Sequence, residues 1–468
     1  MQTDRKTWML RIYFVLLCLL PYHVYGQSKI PVAFDECTDL LSLIWRFSGA
    51  KEYSMCAIDP YVESIDTHFA DYKDHAVVKL AKQYRMKHGV SYDAVASYAT
   101  HLRISEVGKV EMNDNLINHI DQRWTHKMQE VFLSSLNDFY TQSHFHEWFV
   151  GSEPLQRECL EAFSKISGMV DLDWYGSFFD RKEANFRIIL CPLACVNNYG
   201  MDCFTKDGGH QLCPVISCAS YTDGKVSYNS SVLAIVIHEF CHAYCNPLVD
   251  KYWLQMADNA EETYSLRRDV LSSQAYTNPR IMMYESLVRA SVIKYFKEHF
   301  TPQQVNLERL IAEEESKGFL LTRTLLKAYD RRDNAVNEDM ESYMPQLIES
   351  INGFSIEQFN KEKEESDAQK IHYSLNIKED ADDVPSGDFT FTITFDQPIA
   401  GNPISINLID RDFPEFKGYS WSDDHRTLSV TFLFEADHEY GFEINGSSYM
   451  SEDGNIAVNS VLRFKTKD

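Results

Sequence analysis

Residues 232–242 read VLAIVIHEFCH, and this segment indicates both a buried helix and the chemistry that we predict. The first six of these residues are apolar all round, which predicts a buried helix. The last five match the pattern His-Glu-x-x-His. Because residues four apart lie on one face of a helix, His238 and His242 can direct both imidazoles to one Zn²⁺ while Glu239 lies close to water bound there.

The position of these polar residues at the end of an apolar helix favours a metal site. Two histidines and a glutamate are costly to bury without a partner, and a metal ion would supply one. The alternative is a helix that emerges from the core, with His238 hydrogen-bonded to a backbone carbonyl and Glu239 solvated.

A catalytic zinc site needs a third protein ligand and an open position for water. Glu285 follows His242 by 43 residues and falls within the apolar stripe of a predicted helix that begins near Asn278-Pro279. Arg289, one turn further on, could pair with that carboxylate or orient it. Glu261 or Glu262 is the alternative third ligand, although both lie in a polar stretch typical of a solvated turn. We therefore predict a zinc site of His238, His242 and Glu285.

The 468 residues divide into four predicted parts. Residues 1–26 have three basic residues before a nine-residue apolar run, the layout of a cleaved signal peptide. Residues 27–185 show helical periodicity, and residues 186–370 combine two apolar strand-like runs, 186–193 and 214–219, with further helices. Residues 371–468 alternate apolar and polar positions in at least five short strands, which predicts a β-sandwich. The fold class is therefore α+β.

Composition and charge limit the possible functions. Hydrophobic residues make up 44% of the chain and the formal net charge is -24, so the chain is globular and would repel a phosphate backbone. We expect no nucleic-acid partner and no membrane anchor, and export to the periplasm or beyond. Ten cysteines follow the predicted signal peptide, and an even number in an exported chain favours disulfides over a thiolate zinc site.

The motif residues also carry a family resemblance. His-Glu-Phe-Cys-His at 238–242, Asn246-Pro247, and Glu285-Ser286-Leu287-Val288-Arg289-Ala290 resemble an uncharacterised family of exported bacterial proteins known only as a domain of unknown function. This pattern is similar to the gluzincin branch of zinc metallopeptidases, over roughly residues 30–365. The C-terminal strands resemble bacterial Ig-like modules.

The resemblance implies a zincin-like domain in which Glu239 is the general base for a zinc-bound water that hydrolyses peptide bonds of a peptide or protein substrate. A second electrophile is usually needed, and the candidates nearest in sequence are Tyr244, Tyr276, Tyr284 and His210. In zincin-like folds a sheet edge pairs with the substrate backbone, a role open to the strand at 214–219 or that at 186–193.

Two other functions remain open on the sequence. One is a non-catalytic binding or adhesion protein with a structural or vestigial zinc site; retention of Glu239 favours the enzyme, because a structural site has no use for it. The other is hydrolysis of a non-peptide amide, such as a cell-wall linkage, by the same metal chemistry. The sequence does not decide the oligomeric state.

Overall fold

The computed structural model describes residues 30–117, 119–180, 184–195, 197–301, 304–333, 339–409 and 414–467. The predicted signal peptide at 1–26 lies outside these residues. The described chain forms two compact units. The first contains the residues up to Ala260 together with Asn278–His299 and Leu326–Ile348, and the second contains Glu261–Thr277, Phe300–Leu325 and the residues from Glu349 onward.

The fold is mixed α+β, as predicted. The α-helices are α1 (Glu36–Phe47), α2 (Asp59–His68), α3 (Ala76–His88), α4 (Asp93–Ala99), α5 (His126–Gln142), α6 (Phe145–Gly151), α7 (Glu153–Ser167), α8 (Leu172–Phe179), α9 (Val232–Ser265), α10 (Arg268–Ser273), α11 (Pro279–His299), α12 (Leu307–Ser316), α13 (Thr322–Asp333), α14 (Met340–Asn352) and α15 (Ile356–Asp367). The strands are β1 (Val32–Phe34), β2 (Leu102–Ile104), β3 (Val110–Met112), β4 (Ala184–Phe186), β5 (Ile188–Leu190), β6 (Asp202–Phe204), β7 (His210–Leu212), β8 (Val215–Ile216), β9 (Ala219–Thr222), β10 (Lys225–Tyr228), β11 (Tyr373–Leu375), β12 (Ala381–Pro385), β13 (Gly387–Phe395), β14 (Ile406–Leu408), β15 (Glu415–Trp421), β16 (Thr427–Phe434), β17 (Glu439–Ile444) and β18 (Ser460–Lys467).

A small buried sheet lies in the first unit, with strand order β1-β5-β8 and parallel pairing throughout. All three residues of β5 are buried, which suits a parallel strand because both of its faces are covered. The first strand lies within the region predicted as helical, so that region contains a strand as well as helices. Its three residues are too few to show a period-two pattern in sequence.

The edge of this sheet differs from the prediction. Tyr199 forms an antiparallel bridge to Val215, with two backbone N···O distances of 3.0 and 2.9 Å, and the N–H of Cys213 donates to Met201 at 2.8 Å. Strand β8 is therefore flanked on both sides, and β5 is central. The hypothesis that 214–219 or 186–193 offers a free edge is wrong, because residues 199–201 return from the intervening loop and occupy it.

Helix α9 carries the motif through the core of the first unit. Val232, Leu233, Val236 and Ile237 are each at most 2% exposed, as expected for a helix start that is apolar all round. Among the described residues, α9 is long and apolar enough to cross a membrane by length and composition, but 61% of that apolar window is buried inside the protein. A core helix of a globular protein has these same properties.

Two four-stranded sheets make up the C-terminal region, with strand orders β11-β13-β16-β15 and β12-β18-β17-β14. Residues from both sheets share one hydrophobic core, in which Phe391, Val430 and Phe442 have no exposed surface. The alternating patterns at Phe389–Phe395 and Leu428–Phe434 lie in β13 and β16, which pair antiparallel. Strands β11, β12 and β15 were not predicted, because β11 has only three residues and the alternation of β12 and β15 is interrupted by polar or glycine residues.

The predicted disulfides are absent from the structure. All ten cysteines of the described chain are free thiols, and eight of them are buried. Cys203 and Cys213 have sulfur atoms 3.8 Å apart, nearly twice the roughly 2.05 Å of a disulfide bond. Buried cysteine behaves as a small apolar residue, so these thiols can serve as packing residues of the core.

Candidate metal centre

Two helices of the first unit bring the predicted ligands together. His238 and His242 lie one turn apart on α9, and Glu285 lies on α11. The Nε2 atoms of the two histidines are 3.1 Å apart. Glu285 places Oε2 at 3.6 Å from Nε2 of His238 and Oε1 at 3.5 Å from Nε2 of His242. One nitrogen or oxygen from each of the three residues therefore lies within 4.8 Å of the others.

These separations fit a tetrahedral zinc site. Bonds of about 2.0–2.1 Å from zinc to nitrogen or oxygen separate two ligand atoms by about 3.3–3.4 Å in a tetrahedron. The three observed distances bracket that value, and a two-histidine, one-glutamate set leaves the fourth corner open. Each histidine side chain is 19% exposed and that of Glu285 is 11% exposed, so the three ligands are largely but not fully buried.

Asn246, on the next turn of α9, orients His242. Its Oδ1 lies 3.2 Å from Nδ1 of His242 and can only accept a proton, so Nδ1 donates and the lone pair is left on Nε2. Nε2 is the atom that faces His238 and Glu285. Partners of this kind fix the tautomer and orientation of metal-binding imidazoles. We did not single out this role of Asn246 from the sequence, although its position four residues after His242 was the available signal.

The charge of Glu285 is stabilised from both sides. Burial alone would raise the pKa of Glu285, but the two histidines and Arg289 outweigh burial, and the pKa is lowered. Arg289 donates from Nε to Oε2 of Glu285 at 3.0 Å, and its Nη2 lies 3.0 Å from the same oxygen. Both Arg289 and Glu285 are mostly buried. The carboxylate is therefore held ionised and fixed in direction, as a metal ligand requires.

Glu239 has a different environment from Glu285. Burial raises the pKa of Glu239 to about 7, and the charge of Glu285 adds to this effect, whereas His242, a hydrogen bond from the Gly200 backbone and Arg289 lower it. A carboxyl group with a pKa near neutrality can both accept and release a proton. Glu239 is thus suited to proton transfer, whereas Glu285 is suited to carrying a fixed charge.

Each of the four candidate electrophiles contacts a residue outside the ligand cluster. The Tyr244 ring is buried and stacks on Phe179 with centroids 4.6 Å apart. Tyr284 donates its hydroxyl hydrogen to Asp250. Tyr276 packs against Phe319, and His210 Nε2 lies 3.0 Å from Asp202 Oδ2. These contacts do not support an electrophilic role for any of the four.

The alternative third ligands do not join the cluster of ligand atoms, which in the described chain comprises His238, His242 and Glu285. Glu261 and Glu262 lie in the last turns of α9 and not in the turn that their polar neighbours predicted. The Glu261 side chain is 62% exposed and pairs with Arg268 at 3.5 Å.

The model of a family described as "Domain of unknown function (DUF4932)" matches residues 38–350, about two thirds of the chain. No curated protein matches.

Structures of a surface-layer protein are among the solved structures that match. The structure of surface layer protein SbsC, domains 1-6, is 14% identical and has a TM-score of 0.17; the match covers 46% of this chain and 33% of that one. The N-terminal part of the bacterial S-layer protein SbsC is 12% identical with a TM-score of 0.16, covering 46% of this chain and 57% of that one. The chain therefore spans between a third and somewhat over half of these proteins' length.

Proposed function

The chain belongs to the DUF4932 family, a domain of unknown function, and on this premise we propose that it is an exported zinc-dependent peptidase. The proposal rests chiefly on one observation: two imidazole nitrogens and one ionised carboxylate converge with tetrahedral separations next to a second carboxyl group of raised pKa. A structural zinc site needs the first three groups only. The presence of Glu239 beside them favours catalysis.

His238, His242 and Glu285 would hold the ion, with Asn246 and Arg289 fixing the direction of two of these ligands. Bound Zn²⁺ supplies a Lewis acid that makes water more acidic and polarises a carbonyl group. Glu239 would remove a proton from the attacking water and pass it to the leaving amine. Its raised pKa suits both transfers, because the group must be a base in one step and an acid in the next.

The finer parts of the proposal extend the sequence resemblance. We infer a zincin-like catalytic region, in which the motif helix lies beside a small sheet, and an Ig-like C-terminal module formed by the two four-stranded sheets. Export follows from the predicted signal peptide. A peptide or protein is the proposed substrate, with non-peptide amides such as cell-wall linkages as the related alternative.

Zinc analysis of the wild type and two variants tests the site. We expect the purified wild type to hold about one zinc per chain and Glu285→Ala to lose most of it, because that change removes one of three ligands. Glu261→Ala is the matched control and should keep its zinc. Zinc retained in Glu285→Ala would refute the ligand assignment.

Hydrolysis of an unstructured protein substrate tests the reaction. Glu239→Gln should keep zinc and lose hydrolysis, since the amide cannot take up a proton. Hydrolysis by this variant at the wild-type rate would show that Glu239 is not the base. A wild type that holds zinc firmly but cleaves neither peptide nor cell-wall amide bonds would favour the alternative of a binding or adhesion protein.

A further inference from the structure

Gly200 occupies the segment that covers the edge of the small sheet. Tyr199 exchanges two backbone hydrogen bonds with Val215, and Met201 accepts from Cys213. In antiparallel pairing, the residue between two bonded positions turns its N–H and C=O away from the neighbouring strand. Gly200 therefore directs its N–H away from β8, and the backbone of Gly200 lies close enough to the Glu239 carboxylate to lower its pKa.

Position 200 has no space for a side chain. A Cβ built on Gly200 would lie 2.7 Å from the backbone oxygen of Glu239, 3.2 Å from Oε2 of Glu239 and 3.3 Å from Cβ of His242. All three atoms belong to the turn of α9 that carries the motif. The closest is a helix backbone atom, which cannot move aside as the end of a flexible side chain can. The φ angle of Gly200 does not lie in the left-handed region, so this contact is what requires glycine here.

The close approach of Gly200 limits the directions that the Glu239 carboxylate can take. The Cβ position of Gly200 lies 3.2 Å from Oε2 of Glu239, so this oxygen is within reach of the Gly200 peptide group. A backbone donor on one carboxylate oxygen restricts its rotation. A base must be held within hydrogen-bonding reach of the water from which it takes a proton.

We propose that Gly200 is a positioning residue of the reaction: its peptide group holds the Glu239 carboxylate, and its lack of a side chain lets residues 199–201 lie against the motif turn. This inference rests on the proposed function where it concerns the reaction. The contact itself can be tested without any substrate.

Hydrogen exchange tests the contact in zinc-loaded full-length protein. We expect Glu239→Ala to raise the exchange rate of the Gly200 amide at least about 10-fold, because its acceptor is lost. Glu239→Gln is the matched control, and its amide oxygen should keep the rate within about 3-fold of the wild type. An unchanged rate in Glu239→Ala would overturn the proposal. Neither change alters position 200, so a folding defect of a Gly200 variant does not affect this test.

Steady-state kinetics test the role in the reaction. Gly200→Ala should lower kcat about 100-fold with KM within about 3-fold and zinc still bound, as expected when a catalytic group is displaced by about 1 Å. Gly151→Ala is the control, because no atom lies within 4 Å of a Cβ there, and it should leave kcat unchanged. A wild-type kcat in Gly200→Ala would overturn the positioning role. If the wild type hydrolyses no substrate, the proposed function is overturned instead. The ratio of the Gly200 amide exchange rates in Glu239→Ala and the wild type then decides whether Gly200 holds Glu239.

Discussion

Replacing Asn246 with alanine should weaken zinc binding without removing a ligand. The substitution deletes the oxygen 3.2 Å from Nδ1 of His242, so the imidazole is free to rotate and to adopt the tautomer that protonates Nε2. Zinc binding would then have to restore both the orientation and the tautomer of the His242 imidazole. Loss of such a partner typically lowers metal affinity 10- to 100-fold, which corresponds to about 1.4–2.7 kcal/mol.

The loss is measurable as a change in stability. At a free zinc concentration 100 times the wild-type dissociation constant, binding stabilises the folded chain by about 2.7 kcal/mol. A variant that binds 100-fold more weakly retains only about 0.4 kcal/mol at the same zinc concentration. At about 2.1 cal/mol/K of unfolding entropy per residue, the difference of about 2.3 kcal/mol predicts a melting temperature lower by about 4 °C for the first unit, which has roughly 270 described residues.

The assay is thermal melting of wild type and variant in a zinc buffer and in chelator, with affinities from competition against a coloured chelator. Melting in chelator measures the effect of the substitution without zinc, which includes the higher helix propensity of alanine, so this effect can be subtracted. Asn246→Asp is the control, because a carboxylate also accepts from Nδ1, and its zinc-dependent shift should match that of the wild type. Equal zinc affinity in wild type and Asn246→Ala would refute the role of Asn246 and weaken the case for a metal at Nε2.

Three further predictions concern other parts of the chain. Burial raises the pKa of Asp39 to about 7, above the roughly 3.9 of an unfolded chain, so its contribution to stability is full below about pH 4 and is lost as the pH rises through about 7. The unfolding free energy of the wild type should fall between pH 4 and 7, and Asp39→Asn should reduce that fall by up to about 4 kcal/mol, as measured by urea denaturation. An equal fall in the wild type and the variant would contradict this prediction. Thiol titration of residues 27–468 in denaturant without reductant should count ten thiols, and a lower count would show bridges that the structure lacks. Phe391→Ala should cost about 3–5 kcal/mol in unfolding of the C-terminal sheets, because this residue is fully buried. Val461→Ala, at a residue that is 51% exposed, should change the unfolding free energy by less than about 0.5 kcal/mol.

The elements in which apolar residues recur at a regular spacing were predictable from sequence. Helix α9 was predicted because its apolar start and the His-Glu-x-x-His spacing agree on one element, and α11 because Asn278 and Pro279 form a recognisable helix start. Asn278 Oδ1 accepts from the N–H of Ile281 at 3.0 Å, as a capping residue does. Strands β13 and β16 were predicted because one face is buried and the other polar, which gives a period of two.

Contacts between segments distant in the chain were not predictable. Gly200 precedes Glu239 by 39 residues, and no local pattern indicates that its backbone crosses the motif turn. The cysteines show the same limit, since their number is visible in sequence but the distances between their sulfur atoms are set by tertiary packing. Short strands such as β1 and β8 depend on neighbouring strands for their hydrogen bonds. Their two or three residues are too few to show an alternation of apolar and polar positions.

The first strand has a practical consequence for recombinant work. Residues matched by the family begin at 38, inside α1, yet β1 pairs with β5 and Asp35 accepts from the N–H of Thr38 at 2.8 Å to cap that helix. A fragment cut to the family limits would remove both, leaving β5 with unpaired backbone groups along one side and α1 without its first turn. Expression trials should therefore start no later than Ile30, because the shorter fragment offers a template for intermolecular pairing and should be less soluble.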